Sequence, residues 1–159
     1  MNSRIFPIAN YTCVQVREWR RGYDAAPPPM RTDHAYYDAV VNSPIYADGP
    51  APEQFPGTES LEMTIARTLP FWTEIIVPRI KAGDRVLICA HSNSLRGLVK
   101  LLSRISDYDI PSLTIPMGIP FVYQLDEDAE AVQPMRFLAD DETVRAAVEA
   151  IEAQIKPPT

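Results

Sequence analysis

The sequence predicts an α/β fold, because a long amphipathic helix, a short buried strand and a second helix follow one another in the middle of the chain. Apolar residues recur at mostly four-residue intervals over residues 61–80, which is typical of one face of a helix. Residues 85–90 then form a nearly continuous apolar run, the pattern of a strand buried on both faces of a parallel sheet. Helical spacing returns over residues 94–104. This order of elements predicts a sheet that is covered by helices.

Charged residues, glycine and proline mark the limits of the first helix. Glu59 and Glu62 place negative charge at its start, which suits the N-terminal end of the helix dipole. Gly83 is a conventional stop after the last apolar position. Pro70 and Pro78 lie inside the helix, and we expect them to kink or divide it because proline lacks the backbone donor that an interior position uses.

Residues 25–57 precede this helix and are rich in proline, so we expect them to be mostly loop. Proline has no backbone N–H and restricts the residue before it, which excludes both a long helix and a central strand. The segment is expected to wrap a surface or to line a cleft.

Three further elements are predicted in the C-terminal third of the chain. Ser106 and Asp109 approach a capping box and predict a short helical piece. Residues 121–125 and 135–138 are predicted strands of a hairpin with an acidic turn between them. A last helix is predicted over residues 140–155.

Composition limits the class of protein. The chain has 159 residues, 46% of them hydrophobic, so we expect one domain over residues 1–159. A net charge of −6 argues against a nucleic-acid partner, because binding to the phosphate backbone needs a basic face. No apolar run approaches the roughly 20 residues that span a bilayer, and no signal peptide is recognisable, so no membrane association is expected. Cys13 and Cys89 are too few for a disulfide framework or a metal site, which fits reduced thiols in the cytoplasm and predicts no metal.

His91, Ser92 and Asn93 form the predicted turn between the buried strand and the next helix. Ligands of open α/β sheets bind beyond the carboxyl ends of the strands, where helix N-termini offer free backbone donors. An imidazole at that position can stabilise a phosphoryl group, and Ser92 and Asn93 can add further donors. The alternative is a histidine that is only packed at the end of a strand.

Arg20 and Arg21 are the second candidate, as adjacent arginines before the proline-rich loop. Guanidinium groups bind phosphate and carboxylate bidentately, so the pair is a candidate anion clamp. The alternative is a solvated charged helix end.

Three other arrangements point less clearly to chemistry. Cys89 and His91 lie two apart on the predicted strand and could form a thiol–imidazole pair, although a strand cysteine is more often a small hydrophobe. His34 lies in the proline-rich loop, where a solvent-facing position is the more common one. Ser92 and Ser94 lack the G-x-S-x-G pattern of a hydrolase nucleophile.

From about Val14 to its C-terminus the chain resembles the cofactor-dependent phosphoglycerate mutases of the histidine phosphatase superfamily. The resemblance is close to the animal-type enzymes, and the resembling segments follow the family's order. They are WRRGYDAAPPPM, ESLEMTIARTLPFW, VLICAHSNSLRGLVK, IPMGIPFVYQLD and PMRFLADDETVRAAVEA.

The resemblance implies a three-layer α/β/α fold with a mostly parallel sheet, and interconversion of 3-phosphoglycerate and 2-phosphoglycerate in glycolysis, primed by 2,3-bisphosphoglycerate. The substrate would be a phosphorylated three-carbon acid. By motif, His91 matches the second active-site histidine, which stabilises the phosphoryl group in transit. Asn93 and Ser92 match the phosphate-binding turn, and Arg20 and Arg21 match the pair that binds the anionic groups.

Two departures from the family pattern bear on activity. The sequence has no Arg-His-Gly, the segment that holds the family's nucleophilic histidine, and the glutamate that acts as acid or base is not matched either. The resemblance therefore implies that the chain corresponds to the C-terminal part of a mutase. Ser92 stands where the family has glycine, which permits closer approach of the backbone to phosphate. We expect such a chain to be inactive alone, because the missing groups act as a unit.

Three hypotheses follow. The chain is part of a mutase that needs the unmatched segment, a catalytically dead protein that binds a phosphometabolite or a mutase partner, or a chain that is stable only in an assembly. In the family fold the unmatched strand lies beside residues 85–90, so its absence is expected to leave an unpaired edge. The sheet could close up, residues 4–8 could enter as a replacement strand, or the edge could pair with a second copy or with a full-length mutase. Pro7 argues against the replacement strand, because proline cannot donate in a central ladder.

Overall fold

The protein is described by a computed structural model that covers residues 11–46, 48–49 and 57–153. This part of the chain is mostly helical, and its only sheet has two antiparallel strands. The helices are α1 (Cys13–Arg21), α2 (Tyr37–Val41), α3 (Leu61–Phe71), α4 (Val77–Lys81), α5 (Ser92–Leu102) and α6 (Asp141–Ala153), and the strands are β1 (Phe121–Val122) and β2 (Arg136–Phe137). None of these helices is long and apolar enough to cross a membrane.

The predicted three-layer α/β/α fold with a mostly parallel sheet is wrong. Residues 85–90 lie outside every helix and strand, and all six are exposed instead of buried. Leu87 is 86% exposed. The physical reason is that a strand exists only through its neighbours, and within the described residues no strand lies beside this segment.

The long helix predicted before this segment is present, and its two prolines divide it. Between α3 and α4 the helix widens into a π turn over Trp72–Ile76, which lies between Pro70 and Pro78. Gly83 ends the helix as expected: its φ is +92°, in the left-handed region that favours glycine. The Gly83 N–H donates to the Ile80 carbonyl at 2.9 Å and the Asp84 N–H to the Arg79 carbonyl at 3.0 Å, which is a Schellman motif.

The core lies where α3 packs against α5. Gly97 permits this contact, because a Cβ at position 97 would lie 2.8 Å from Cγ1 of Ile65. Val99 is 1% exposed and Ile110, in the 3-10 turn Ile110–Ser112, is fully buried. The apolar side chains that are buried in the described chain are Leu61, Ile65, Val99, Ile110 and Ile115.

The C-terminal elements follow the prediction in part. Phe121 pairs with Phe137 across the hairpin, although the ladder is only two residues long on each side. The carboxylate of Asp140 accepts from the Thr143 N–H at 2.8 Å and caps α6. The predicted helical piece at Ser106 is reduced to a turn that leads into the 3-10 turn at Ile110. Residues 154–155 at the predicted end of α6 lie outside the described residues.

Part of the predicted proline-rich loop, residues 25–57, is described. It contains α2 and one 3-10 turn, Pro44–Tyr46. Residue 47 and residues 50–56 lie outside the described part of the chain, as do residues 4–8, which were considered as a replacement strand.

Candidate anion-binding site

A polar pocket of about 200 Å³ lies where the C-terminal end of α1 meets the N-terminal ends of α3 and α5. The two helix N-termini place the positive ends of their dipoles at this region. At the start of α3 two N–H groups already have acceptors, since Glu62 donates to the Tyr23 carbonyl at 2.9 Å and Met63 to Oγ of Ser60 at 3.2 Å. The pocket is lined by Trp19, Arg20, Gly22, Glu59, Ser60, Leu61, Thr64, Arg67, His91, Asn93, Ser94 and Arg96. Its charged residues are three arginines and one glutamate, so the pocket is locally cationic on an acidic protein.

Arg96 is the buried member of this set, with only 3% of its surface exposed. Its guanidinium has five N–H donors, and each has an acceptor. The acceptors are the carbonyl oxygens of Leu113 (3.2 Å), Arg20 (3.3 Å), Arg21 (2.8 Å) and Ile110 (2.9 Å) and Oδ1 of Asn93 (3.2 Å).

Two of these acceptors are the last carbonyls of α1, which have no partner inside the helix. Arg96 therefore caps α1 from the neighbouring helix and fixes the position of Arg20 above the pocket. Burial, with a further contribution from the nearby charge of Arg21, lowers the pKa of Arg96 to about 10, so the guanidinium is still charged at neutral pH.

Glu59 and Arg67 form the second ionic feature of the pocket. The guanidinium of Arg67 donates to both carboxylate oxygens of Glu59, from Nε and, at 3.0 Å, from Nη2. This hydrogen bonding lowers the pKa of Glu59 and raises that of Arg67. Glu59 is thus ionised at neutral pH. Its carboxylate binds the guanidinium of Arg67 and so competes with an anionic ligand for that group.

The structure brings together three of the five residues predicted from sequence. Arg20, His91 and Asn93 line the same pocket. His91 is the N-cap residue of α5, and its carbonyl accepts from the Leu95 N–H at 2.9 Å. Its exposed side chain makes no capping hydrogen bond. Asn93 uses its side-chain oxygen to accept from Arg96.

Arg21 and Ser92 are placed elsewhere. The Arg21 guanidinium donates to the Leu113 carbonyl at 3.2 Å and to Oγ1 of Thr114 at 3.1 Å. Burial, followed by the charge of Arg20, lowers its pKa. The Ser92 hydroxyl donates to the Ile115 carbonyl at 3.5 Å and lies in a different, apolar groove. Arg21 therefore supports the fold around the pocket and does not line it.

Sequence reasoning missed Arg96, Glu59 and Arg67. Arg96 carried a signal, because it lies three residues after Asn93, a spacing that brings two side chains to the same side of a helix. A charged residue must find several partners when it is buried. Glu59 lies two residues before the start of α3 and Arg67 lies within it, so helical spacing did not indicate this pair.

Neither remaining candidate joins the pocket. His34 and Cys89 are absent from its lining, and Cys89 lies in the apolar groove.

Compared with known protein families, the chain matches no family model.

Proposed function

We propose that this chain is a phosphoglycerate mutase homologue that binds a phosphorylated three-carbon acid in the pocket between α1, α3 and α5, without turning it over. The family assignment is supported by the resembling segments of the sequence. The binding function is supported above all by one observation: Arg20, Arg67 and His91 converge on a pocket formed by two helix N-termini. The ligands are 2- or 3-phosphoglycerate and the related 2,3-bisphosphoglycerate.

The pocket suits a small anion more than a polyanion. Its donors are concentrated within about 200 Å³, while the chain as a whole carries a net charge of −6. A focused cationic pocket on an acidic surface attracts a small phosphate ester and repels an extended one such as nucleic acid. The free N–H groups at the start of α5 provide further donors to the phosphate oxygens.

The chemistry of the same pocket argues against phosphoryl transfer by this chain. Phosphoryl transfer through a covalent intermediate needs a nucleophile and a separate proton donor or acceptor. His34 and His91 are the only histidines of the sequence, and only His91 lines the pocket. Glu59 is the carboxylate of the pocket, and its lowered pKa keeps it ionised and unsuited to act as an acid near neutral pH.

Calorimetric titration of the purified chain tests this proposal. We expect saturable binding of 3-phosphoglycerate that weakens as salt increases, and no binding of glycerate, which lacks the phosphate. The chain should take up no acid-labile phosphate from 2,3-bisphosphoglycerate. Absence of 3-phosphoglycerate binding at millimolar concentration would reject the binding function, and stable labelling that His91→Ala abolishes would reject the absence of turnover.

Glu59→Gln is expected to tighten binding of 3-phosphoglycerate by about fivefold, the effect of roughly 1 kcal/mol. The substitution removes a negative charge from the pocket and frees the guanidinium of Arg67. Glu62→Gln is the matched control, since Glu62 is exposed in the first turn of α3 and does not line the pocket.

Glu59→Gln is also expected to lower the stability of the folded chain, over a defined pH range. Because the pKa of Glu59 is lowered in the folded chain, the contribution of the ion pair is present at neutral pH and is lost as the pH falls through that lowered pKa. Urea unfolding should therefore show a small loss of stability for Glu59→Gln at pH 7 that disappears in acid.

The binding prediction is contradicted if Glu59→Gln and Glu62→Gln have equal affinities for 3-phosphoglycerate, because Glu59 would then not compete with the ligand.

The cytoplasm is the proposed location. Cys13 and Cys89 are exposed, unpaired thiols, a state that reducing compartments maintain. A glycolytic phosphate ester would be found in the same compartment.

A further inference from the structure

The pocket between α1, α3 and α5 contains one negative side chain, that of Glu59, among its arginines. Both oxygens of this carboxylate accept from Arg67, and the two side chains are 29% and 58% exposed. A carboxylate has about four lone-pair sites, so the bonds from Arg67 do not use all of them. The pocket therefore offers an acceptor for a positive group beside its donors for negative groups.

The positive side chains of the pocket are not equally available to a ligand. Every N–H donor of the Arg96 guanidinium already has an acceptor in the fold. Arg67 is paired with Glu59. Arg20 and His91 are exposed, and within the residues that the structure describes neither side chain forms an ion pair. A ligand in the pocket thus meets Arg20, His91 and the Glu59–Arg67 ion pair.

An ion pair in a pocket affects two kinds of ligand differently. A ligand with negative groups only is repelled by the carboxylate of Glu59 when it approaches Arg67. A ligand that also carries an ammonium group can place that group against Glu59 and its phosphate against Arg67. Charges of opposite sign then alternate, and the existing ion pair does not have to break. The carboxylate thus favours one class of ligand and disfavours the other.

We infer that the pocket prefers a zwitterionic phosphate ester, a phosphorylated amino acid, to a purely anionic one. The ammonium group binds Glu59, while the phosphate and the carboxylate bind Arg20, Arg67 and the N–H groups at the start of α5. A volume of about 200 Å³ restricts the pocket to a small ligand of this class. This inference rests on the proposed function, since it names the kind of phosphorylated three-carbon acid that the same pocket selects.

Calorimetric titration of the whole chain with two ligands tests the preference. 3-Phosphoglycerate and O-phosphoserine share the phosphate, the carboxylate and the three-carbon skeleton, but at C2 O-phosphoserine has an ammonium group in place of the hydroxyl. Both enantiomers of O-phosphoserine are titrated, because the configuration at C2 decides where the ammonium group points. We expect the better enantiomer to bind at least about fivefold more tightly than 3-phosphoglycerate, the effect of one partly exposed ion pair.

Glu59→Gln separates the contact with the ammonium group from the other contacts of the pocket. The substitution should weaken binding of O-phosphoserine by about fivefold and tighten binding of 3-phosphoglycerate, so the preference is reversed. A general disturbance of the pocket would instead change both affinities in the same direction. Glu62→Gln is the matched control in the exposed first turn of α3, and it should leave both affinities unchanged.

Two results would overturn the inference and leave the proposed function standing. One is binding of 3-phosphoglycerate by the unaltered chain that is as tight as that of either enantiomer of O-phosphoserine, or tighter. The other is a change of the same sign for both ligands in Glu59→Gln. The first comparison needs no variant, so it decides the matter even if Glu59→Gln does not fold. If neither ligand bound to the unaltered chain, the inference and the proposed function would both fail.

Discussion

Arg96→Met is expected to lower the free energy of unfolding by about 3–5 kcal/mol, a large part of the 5–15 kcal/mol that holds a typical domain together. Methionine matches the length of arginine but donates no hydrogen bond. Five oxygen acceptors would lose a hydrogen bond. The Leu113 carbonyl would keep the Arg21 guanidinium as a donor and the Ile110 carbonyl would keep the Leu113 N–H, but the Arg20 and Arg21 carbonyls at the end of α1 would lose the donor described for them. Leaving a buried acceptor unpaired costs about 1–3 kcal/mol.

Urea unfolding followed by circular dichroism measures this effect. Arg145→Met is the matched control, since Arg145 is an exposed residue of α6 that is not among the donors described for the pocket. The control should change stability by less than about 0.5 kcal/mol. An Arg96→Met protein as stable as the control would mean that the carbonyls of α1 do not depend on Arg96.

Local signals of the sequence predicted α3, α4, α5 and α6, but not α1 or α2. The limits and the apolar side of a helix depend largely on its own residues, through capping, apolar spacing and stop signals. Gly83 is an example, because a left-handed residue after the last turn is required whatever surrounds the helix. The division at Pro70 and Pro78 was equally local.

The sheet was not predictable in the same way. Residues 85–90 have the composition of a buried strand, but a strand depends on the chain that lies beside it. The apolar spacing of Leu95, Leu98 and Leu102 was read correctly as one side of a helix, and the structure places that side in the apolar groove. Composition thus identified surfaces that are fit for burial without showing what buries them.

Only part of the candidate site was predicted from the sequence, and the reason is geometric. Successive residues of an α-helix point about 100° apart, so two adjacent residues need not face the same pocket. Arg20 and Arg21 are adjacent near the end of α1, and only Arg20 lines the pocket. Ser92 and Asn93 separate in the same way at the start of α5. In each pair of adjacent candidates, one residue therefore lines the pocket and the other contacts another part of the fold.

Arg20→Ala is expected to weaken binding of 3-phosphoglycerate by about tenfold or more, because a hydrogen bond to a charged group contributes about 1.5–3 kcal/mol. The fold should be retained, since Arg96 caps the carbonyl of Arg20 and not its side chain. Arg17→Ala is the control on the same helix, because Arg17 is exposed and does not line the pocket.

Arg21→Ala should give the opposite pattern. The Arg21 side chain donates to Leu113 and Thr114, so its removal should lower the free energy of unfolding and leave the ligand affinity of the folded chain within about twofold. Titration calorimetry and urea unfolding on the same preparations separate the two effects. If Arg21→Ala lost affinity while Arg20→Ala kept it, the anion would lie on the other side of α1, and the pocket bounded by His91 would not be its site.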